Sequence, residues 1–232
     1  MLIDSTVKYA MEFVKDKRAL DIGCIGAVWE EGSFRQFCAR HRKLLETAGE
    51  LYGIDVNQEG ILRAREEGLT NIYFCDVCHV FHAQYFIMHH ANEEKFDVVT
   101  CMDCIEHLMN VGNFLENTKM FLKPGGKVFI ATANMFFVRY WLRKLKGNMT
   151  VSHEHAAWYC EKTLRQVCEF AGYKVEQSFF ANDGKPLDEE VEQLGGVQFE
   201  EWMAKRICVV ATVPEARPKW SISDMRPKQV KI

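Results

Sequence analysis

Long apolar runs are missing from this chain. Nowhere in its 232 residues does an apolar stretch approach the ~20 residues a membrane-spanning helix needs. The first twenty residues are amphipathic and broken by Asp4, Lys8, Glu12 and Lys15, so they lack the apolar core of a secretion signal. These two absences lead to the expectation of a cytoplasmic protein. An excess of one charge is missing too: 29 basic residues face 32 acidic ones, a net −3, which removes the electrostatic footprint of a dedicated nucleic-acid binder. There is no internal repeat or low-complexity tract. The nine cysteines are odd in number and scattered through strand-like segments, a pattern that predicts reduced thiols and no disulfides. A complete G-x-G-x-x-G is also absent, which argues against a dinucleotide enzyme.

What is present is an alternation. Short apolar runs at residues 18–24, 50–56, 71–77, 95–102 and 125–132 are separated by helical patterns at 33–48, 57–67 and 109–122, apolar on one face at spacings of three and four. That order predicts a parallel sheet with helical crossovers. A further helix at 161–172, stopped by Gly172, precedes two late strands at 173–180 and 207–213. With no good crossover helix between them, they are expected to close the sheet edge as an antiparallel pair. The length fits one α/β domain, residues 1–213, that buries roughly 70% of its unfolded surface. Residues 214–232 are expected to form a tail. Three segments fall outside the alternation and are candidates for lids over a site: 1–17, 79–94 and 134–157.

Three acids mark where a ligand belongs. Asp21 ends the first strand, before Gly23 and Gly26, where the backbone can turn sharply and approach a ligand closely. Asp55 ends the second strand, about thirty residues on, where a carboxylate can accept hydrogen bonds from both hydroxyls of a ribose. Asp76 ends the third strand, within reach of an adenine amino group. Strand ends of a doubly wound sheet share one edge, so the three acids converge on one crevice. Each could instead cap the helix that follows it.

Taken together, LDIGCIG, GIDVN, FCDV, the run CMDCIEHL (101–108) and FLKPGGKVFIATAN (121–134) resemble the class I S-adenosylmethionine-dependent methyltransferases. The resemblance covers residues 1–213. It is closest to the branch with an EHL motif followed by LKPGG, which includes ubiquinone-type and glycan-cluster O-methyltransferases. It implies a Rossmann-like, doubly wound, seven-stranded and mostly parallel sheet with an antiparallel last strand. The implied cofactor is S-adenosylmethionine, held by Asp21, Gly23, Cys24, Gly26, Asp55, Val56, Asp76, Val77 and Met102. The implied reaction is methyl transfer to a hydroxyl of a small-molecule or glycan-precursor acceptor. The chain departs from the pattern where Ile25 and Ala27 stand in glycine positions.

Candidate chemistry follows the fourth strand. Asp103, Glu106 and His107 are spaced i, i+3, i+4 and would share one helical face, and His153-Glu154-His155 follows the fifth strand. His107 or His155, with Glu106 beside them, could take the proton from an acceptor hydroxyl. In another reading Glu106 and His107 only cap and orient a helix. A third makes Asp103, Glu106, His107 and His155 a mixed oxygen and nitrogen set for a divalent ion, similar to that of the metal-dependent small-RNA 2′-O-methyltransferases, with Asp103 replacing a longer Glu. The ion is not the favoured reading, and RNA remains an alternative acceptor. A zinc site from Cys75, Cys78, Cys101 and Cys104 is disfavoured, because a 3-2-1-4-5 strand order puts about 14 Å between their strands. His79, His82, His89 and His90 read as a solvated face.

Residues 134–148 combine bulky apolar side chains with Arg139, Arg143, Lys144 and Lys146. They read as an aromatic and cationic wall for the acceptor, as an amphipathic packing helix, or as a membrane-surface element for a lipid-linked acceptor. A cofactor-binding regulatory protein without turnover stays open as the non-enzymatic reading. Nothing in the sequence sets the oligomeric state.

Overall fold

The computed structural model describes residues 1–26, 33–148, 154–183 and 204–214, with the backbone alone for 33–38. Five strands build the centre: β2 (Arg18–Ile22), β3 (Glu50–Asp55), β4 (Ile72–Phe74), β5 (Phe96–Met102) and β6 (Leu122–Ala133). They pair in parallel, in the order β4-β3-β2-β5-β6. β2 and β5 are buried along almost their whole length, which is why they read as unbroken apolar runs instead of alternating ones.

Helices cover both faces. α1 (Thr6–Val14) and α2 (Ser33–Leu45) pack on one, where Ala10, Val14 and Leu44 meet Leu51, Phe129 and Phe179. α4 (Val80–His89), α5 (Val111–Phe121) and α7 (Glu161–Phe170) pack on the other through Phe86, Phe114, Phe121 and Leu164. α3 (Gln58–Glu66) follows β3 and is capped by Asn57, whose Oδ1 accepts from the Gly60 N–H at 2.8 Å. Such a cap satisfies one of the four donors a helix start leaves unpaired.

The far side holds β7 (Lys174–Ala181) and β8 (Arg206–Thr212), with β8 antiparallel to both β6 and β7. Seven strands and an antiparallel last one are present as expected, with β8 between β6 and β7, but the antiparallel pair falls one strand short of closing the edge. An eighth strand, β1 (Leu2–Ile3), does so by pairing in parallel with β7, Leu2 opposite Phe180. A two-residue strand has no periodicity to read, which is why the sequence did not announce it.

Two of the three expected lid segments belong to the layers instead. Segment 1–17 buries Ala10 and Val14 completely, and 79–94 is the crossover helix α4, with Ala83 and Phe86 fully buried. Only 134–157 reaches the crevice. It contains α6 (Val138–Leu145), which leaves Trp141 and Leu145 exposed; its residues 149–153, His153 among them, lie outside the described set, as do Ala27 and most of the expected tail. In β6 the LKPGG stretch forms a bulge: pairing with β5 jumps from Phe96–Leu122 to Val98–Lys127, and Gly125 takes φ 74°. Pro124 has no N–H to give a ladder, so the chain leaves the sheet there. No helix among the described residues is long and apolar enough to cross a membrane.

Candidate active site

The ends of β2, β3, β5 and β6 open on one cavity of about 560 Å³. Its near end is built by the turn after β2 and the end of β3. Gly23 and Gly26 line it with φ of 73° and 70°, a backbone that favours glycine at both positions. Asp55 lines it beside Val56 and Asn57. The Asp55 carboxylate holds the turn: Oδ2 accepts from the N–H of Ile25 at 2.9 Å and of Gly26 at 3.3 Å, and Oδ1 accepts from Asn57 at 2.9 Å. Burial raises its pKa from the usual carboxylate value, against the pull of these backbone donors. Val56 projects an exposed apolar side chain at the cavity.

Ile25, the residue in an expected glycine position, is fully buried among Ile61, Ala64 and Ile72. Its bulk is accommodated by a missing one, because a Cβ on Gly60 of α3 would overlap Ile25 Cγ2. Gly60→Ala should therefore destabilise the protein. The helical preference for alanine gains about 0.5–1 kcal/mol, overpacking costs about 1–3, and the net loss should lower the melting temperature by roughly 2–8 °C. Adding Ile25→Ala should recover most of it in the same thermal melt, and no recovery would remove this account of the turn.

Asp21 is buried and turned away from solvent. Its Oδ1 accepts from the Thr100 hydroxyl at 2.8 Å, and its Oδ2 lies 2.9 Å from His41 Nδ1. It ties β2, β5 and α2 together beneath the turn. Cys24, Val77 and Met102 are buried as well and, with Asp21 and Asp76, do not line the cavity. Asp76 is half-buried and accepts from the Cys78 N–H at 2.9 Å, the local turn at a helix entry that the sequence left as its alternative.

The far end holds the candidate chemistry. Asp103 sits just past β5 at φ 53°, and a short 3-10 turn follows, Ile105–His107. Glu106 is 2% exposed, and its Oε2 has no hydrogen-bond partner among the described residues. Burial raises its pKa. Its carbonyl accepts from the N–H groups of Ala156 and Ala157 at 2.8 and 3.1 Å, which brings His155 against His107, ring centres 4.8 Å apart and edge to face. Burial, then the neighbouring His107, lowers the pKa of His155, so the imidazole is neutral and able to accept a proton near pH 7. Glu154 Oε2 lies 3.9 Å from His107 Nδ1, and Tyr140 of α6 completes this wall.

One ligand atom each from Glu106, His107 and His155 lie within 4.8 Å of one another. This oxygen and nitrogen set suits a divalent ion, and the orphaned Glu106 oxygen would gain a partner. Asp103 is not part of the group: Arg40 Nη1 holds one of its oxygens at 2.7 Å, and Arg206 holds the other. The sequence spacing places Asp103 on a shared helical face, but its left-handed backbone turns it elsewhere. The four cysteines considered for zinc make no such group among the described residues. Burial pushes the Cys75 thiol up to about 12 and the Cys78 thiol up to about 11, so both are protonated near pH 7. Arg206 and Lys205, which precede or open β8, also line the cavity. Neither is signalled by the sequence, because both come from a strand whose place in the sheet is not readable locally.

Known proteins resemble this arrangement. A family model described as a methyltransferase domain matches residues 2–178. The ubiquinone biosynthesis O-methyltransferase of Hydrogenovibrio crunogenus is 24% identical over 75% of this chain and 67% of its own length. The protein of the same name from Serratia proteamaculans is 30% identical over 57% of this chain and 48% of its own. The chain thus spans about two thirds or less of these curated relatives. Among solved structures, an S-adenosylmethionine-dependent methyltransferase from Archaeoglobus fulgidus superposes with a TM-score of 0.61 at 18% identity, covering 89% of this chain and 90% of that one. Magnesium protoporphyrin IX methyltransferase from Synechocystis PCC 6803, with S-adenosylhomocysteine bound, gives 0.57 at 13% identity, covering 89% and 81%. At such identities the structural matches establish the fold.

Proposed function

Since the chain belongs to the methyltransferase domain family, whose model covers most of its length, we propose that it transfers a methyl group from S-adenosylmethionine to a hydroxyl of a small-molecule acceptor. The observation that carries this reading is that Gly23, Asp55 and Val56 line the same cavity as Glu106, His107 and His155; the first three would form its nucleoside end and the last three its proton-accepting end. The cofactor would supply an electrophilic methyl group on a sulfonium. The protein's part is to place the acceptor oxygen and remove its proton. The neutral His155 imidazole is suited to take that proton, and the buried Glu106 carboxyl beside it can balance the resulting positive charge. Tyr140 and the chain around His155 close the acceptor side.

The names of the relatives support a hydroxylated, O-methylated acceptor; a glycan-precursor hydroxyl is the other class this site suits. Calorimetry with S-adenosylmethionine and S-adenosylhomocysteine tests the first half, and absence of affinity for both would sink it. A methyl-transfer screen over phenols, catechols and sugar hydroxyls tests the second. A second reading adds a divalent ion, because Glu106, His107 and His155 gather three ligand atoms around an unpartnered buried oxygen. In that case the ion would draw the acceptor hydroxyl toward ionisation. Turnover should then fall at least tenfold in chelator and return with added Mg or Mn; equal rates in chelator and metal would leave His155 as an unassisted base.

A further inference from the structure

A second cavity, of about 470 Å³, lies on the β4 edge of the sheet and is walled by α3, β4 and α4. It shares no lining residue with the catalytic one. Its walls are rich in rings: Tyr73 and Phe74 of β4, Tyr85 of α4, and the imidazoles of His82 and His90. The histidines expected to form a solvated face are therefore divided. His79 and His89 are exposed, whereas His82 and His90 are half-buried. The His90 ring stacks on Tyr73 with centres 4.3 Å apart, and His82 meets Phe74 edge to face at 5.5 Å. Aromatic surface is still left to water here, since Phe74 is 41% and Tyr85 57% exposed. A concave apolar patch of this kind marks a place of contact.

We propose that this cavity is a second ligand site, for a planar aromatic anion whose ring lies among Phe74, Tyr85 and His82 and whose acidic group meets Arg65. The charge argument is one of complementarity. Arg65 of α3 lines the cavity and no carboxylate does. Its Nε and Nη2 donate to the Ile72 carbonyl at 3.1 and 2.7 Å, and its guanidinium stands 5.5 Å from the Tyr73 ring centre. The fork is thus held in place before any ligand arrives, with Nη1 left to meet an anion. Burial, then His89 and Arg65, lowers the pKa of His90, so that ring is neutral near pH 7 and the fixed charge of the cavity is that of Arg65. Nδ1 of His82 is buried with no hydrogen-bond partner among the described residues, a polar atom in this wall that a ligand group would satisfy. A small ligand fits better than an added strand. The Asn71 carbonyl is taken by the Gly53 N–H of β3, so the next carbonyl, Ile72, points outward, and Arg65 already occupies this edge group.

The experiment is a fluorescence titration of the full chain with two probes that share their rings: 8-anilinonaphthalene-1-sulfonate, which carries an anion, and N-phenyl-1-naphthylamine, which does not. Excess S-adenosylhomocysteine is present throughout to occupy the catalytic cavity. Wild type should bind the sulfonate saturably and more tightly than the amine. Arg65→Gln should weaken the sulfonate roughly tenfold or more, the loss of a charge-assisted bond, and leave the amine within about twofold of wild type. Tyr85→Ala should weaken both probes about threefold or more, because a ring contact is lost. The amine bound by Arg65→Gln doubles as the control for an intact cavity. A sulfonate affinity that neither variant changes, or equal weakening of both probes by Arg65→Gln, overturns the site. So does a wild-type dimer in sedimentation velocity that Tyr85→Ala disperses, since a second copy of the chain would then cover this face.

Discussion

Asp55→Ala should reduce affinity for S-adenosylhomocysteine at least about 100-fold while leaving the protein folded. Two losses combine. The carboxylate is the proposed acceptor for two ribose hydroxyls, and it also fixes the ligand-facing turn through the N–H groups of Ile25 and Gly26. Hydrogen bonds to a charged group contribute about 1.5–3 kcal/mol each, so even two of them exceed the ~2.7 kcal/mol of a hundredfold change. Asp55→Asn separates the two roles. It can keep one oxygen toward Ile25 and Gly26 but brings a donor where acceptors are needed, and should fall between wild type and alanine. Calorimetry reads the affinity and a thermal melt checks the fold. An alanine variant that binds within threefold of wild type would remove Asp55, and with it the nucleoside end, from the site.

At the other end of the cavity, His155→Ala should lower kcat about 100- to 10,000-fold with unchanged affinity for the cofactor product, the range a positioned base contributes. The pH profile gives the sharper test. Burial and His107 lower the pKa of His155, so its neutral form persists to more acidic pH than that of a free histidine, about 6.5. The rate should hold through pH 7 and drop on an acid limb below that value, as the imidazole gains its proton. The same shift has a stability consequence of matching sign. Between the lowered folded value and the unfolded one, the unfolded chain binds more protons, so stability declines as pH falls through that window. Glu106→Gln should keep the fold and cost turnover as well, because an amide cannot hold the developing positive charge. If the acid limb survives in His155→Ala, the base is another group and His107 becomes the candidate.

Much of this arrangement was legible before folding. The run of residues 95–102 became β5 within a residue, the glycines at 23 and 26 do adopt positive φ, and the strands of the alternation do form parallel pairs. These features are local: side-chain period, turn chemistry and strand length are settled by a few neighbouring residues. His155 lies beyond β6, the neighbour of the strand that leads to His107, and the bonds from Ala156 and Ala157 to the Glu106 carbonyl bring the two rings together. Less legible were the lids. Segments 1–17 and 79–94 have amphipathic patterns that fit a packing helix as well as a cover, and buried Ala10 and Phe86 decide for packing.

By itself the sequence determined a doubly wound α/β sheet, a glycine turn flanked by acids, and a family resemblance resting on motifs at the strand ends. Tertiary structure decided which charges meet. Asp103 looked like a partner for Glu106 and His107 at helical spacing, yet one positive φ turns it to Arg40 and Arg206, 63 and 103 residues away in sequence. The physical reason is range. Backbone periodicity is fixed within a few residues, whereas a buried ion pair forms only where the whole sheet brings two strand ends together. Here that meeting depends on β8 entering between β6 and β7, a choice made by packing across the entire domain.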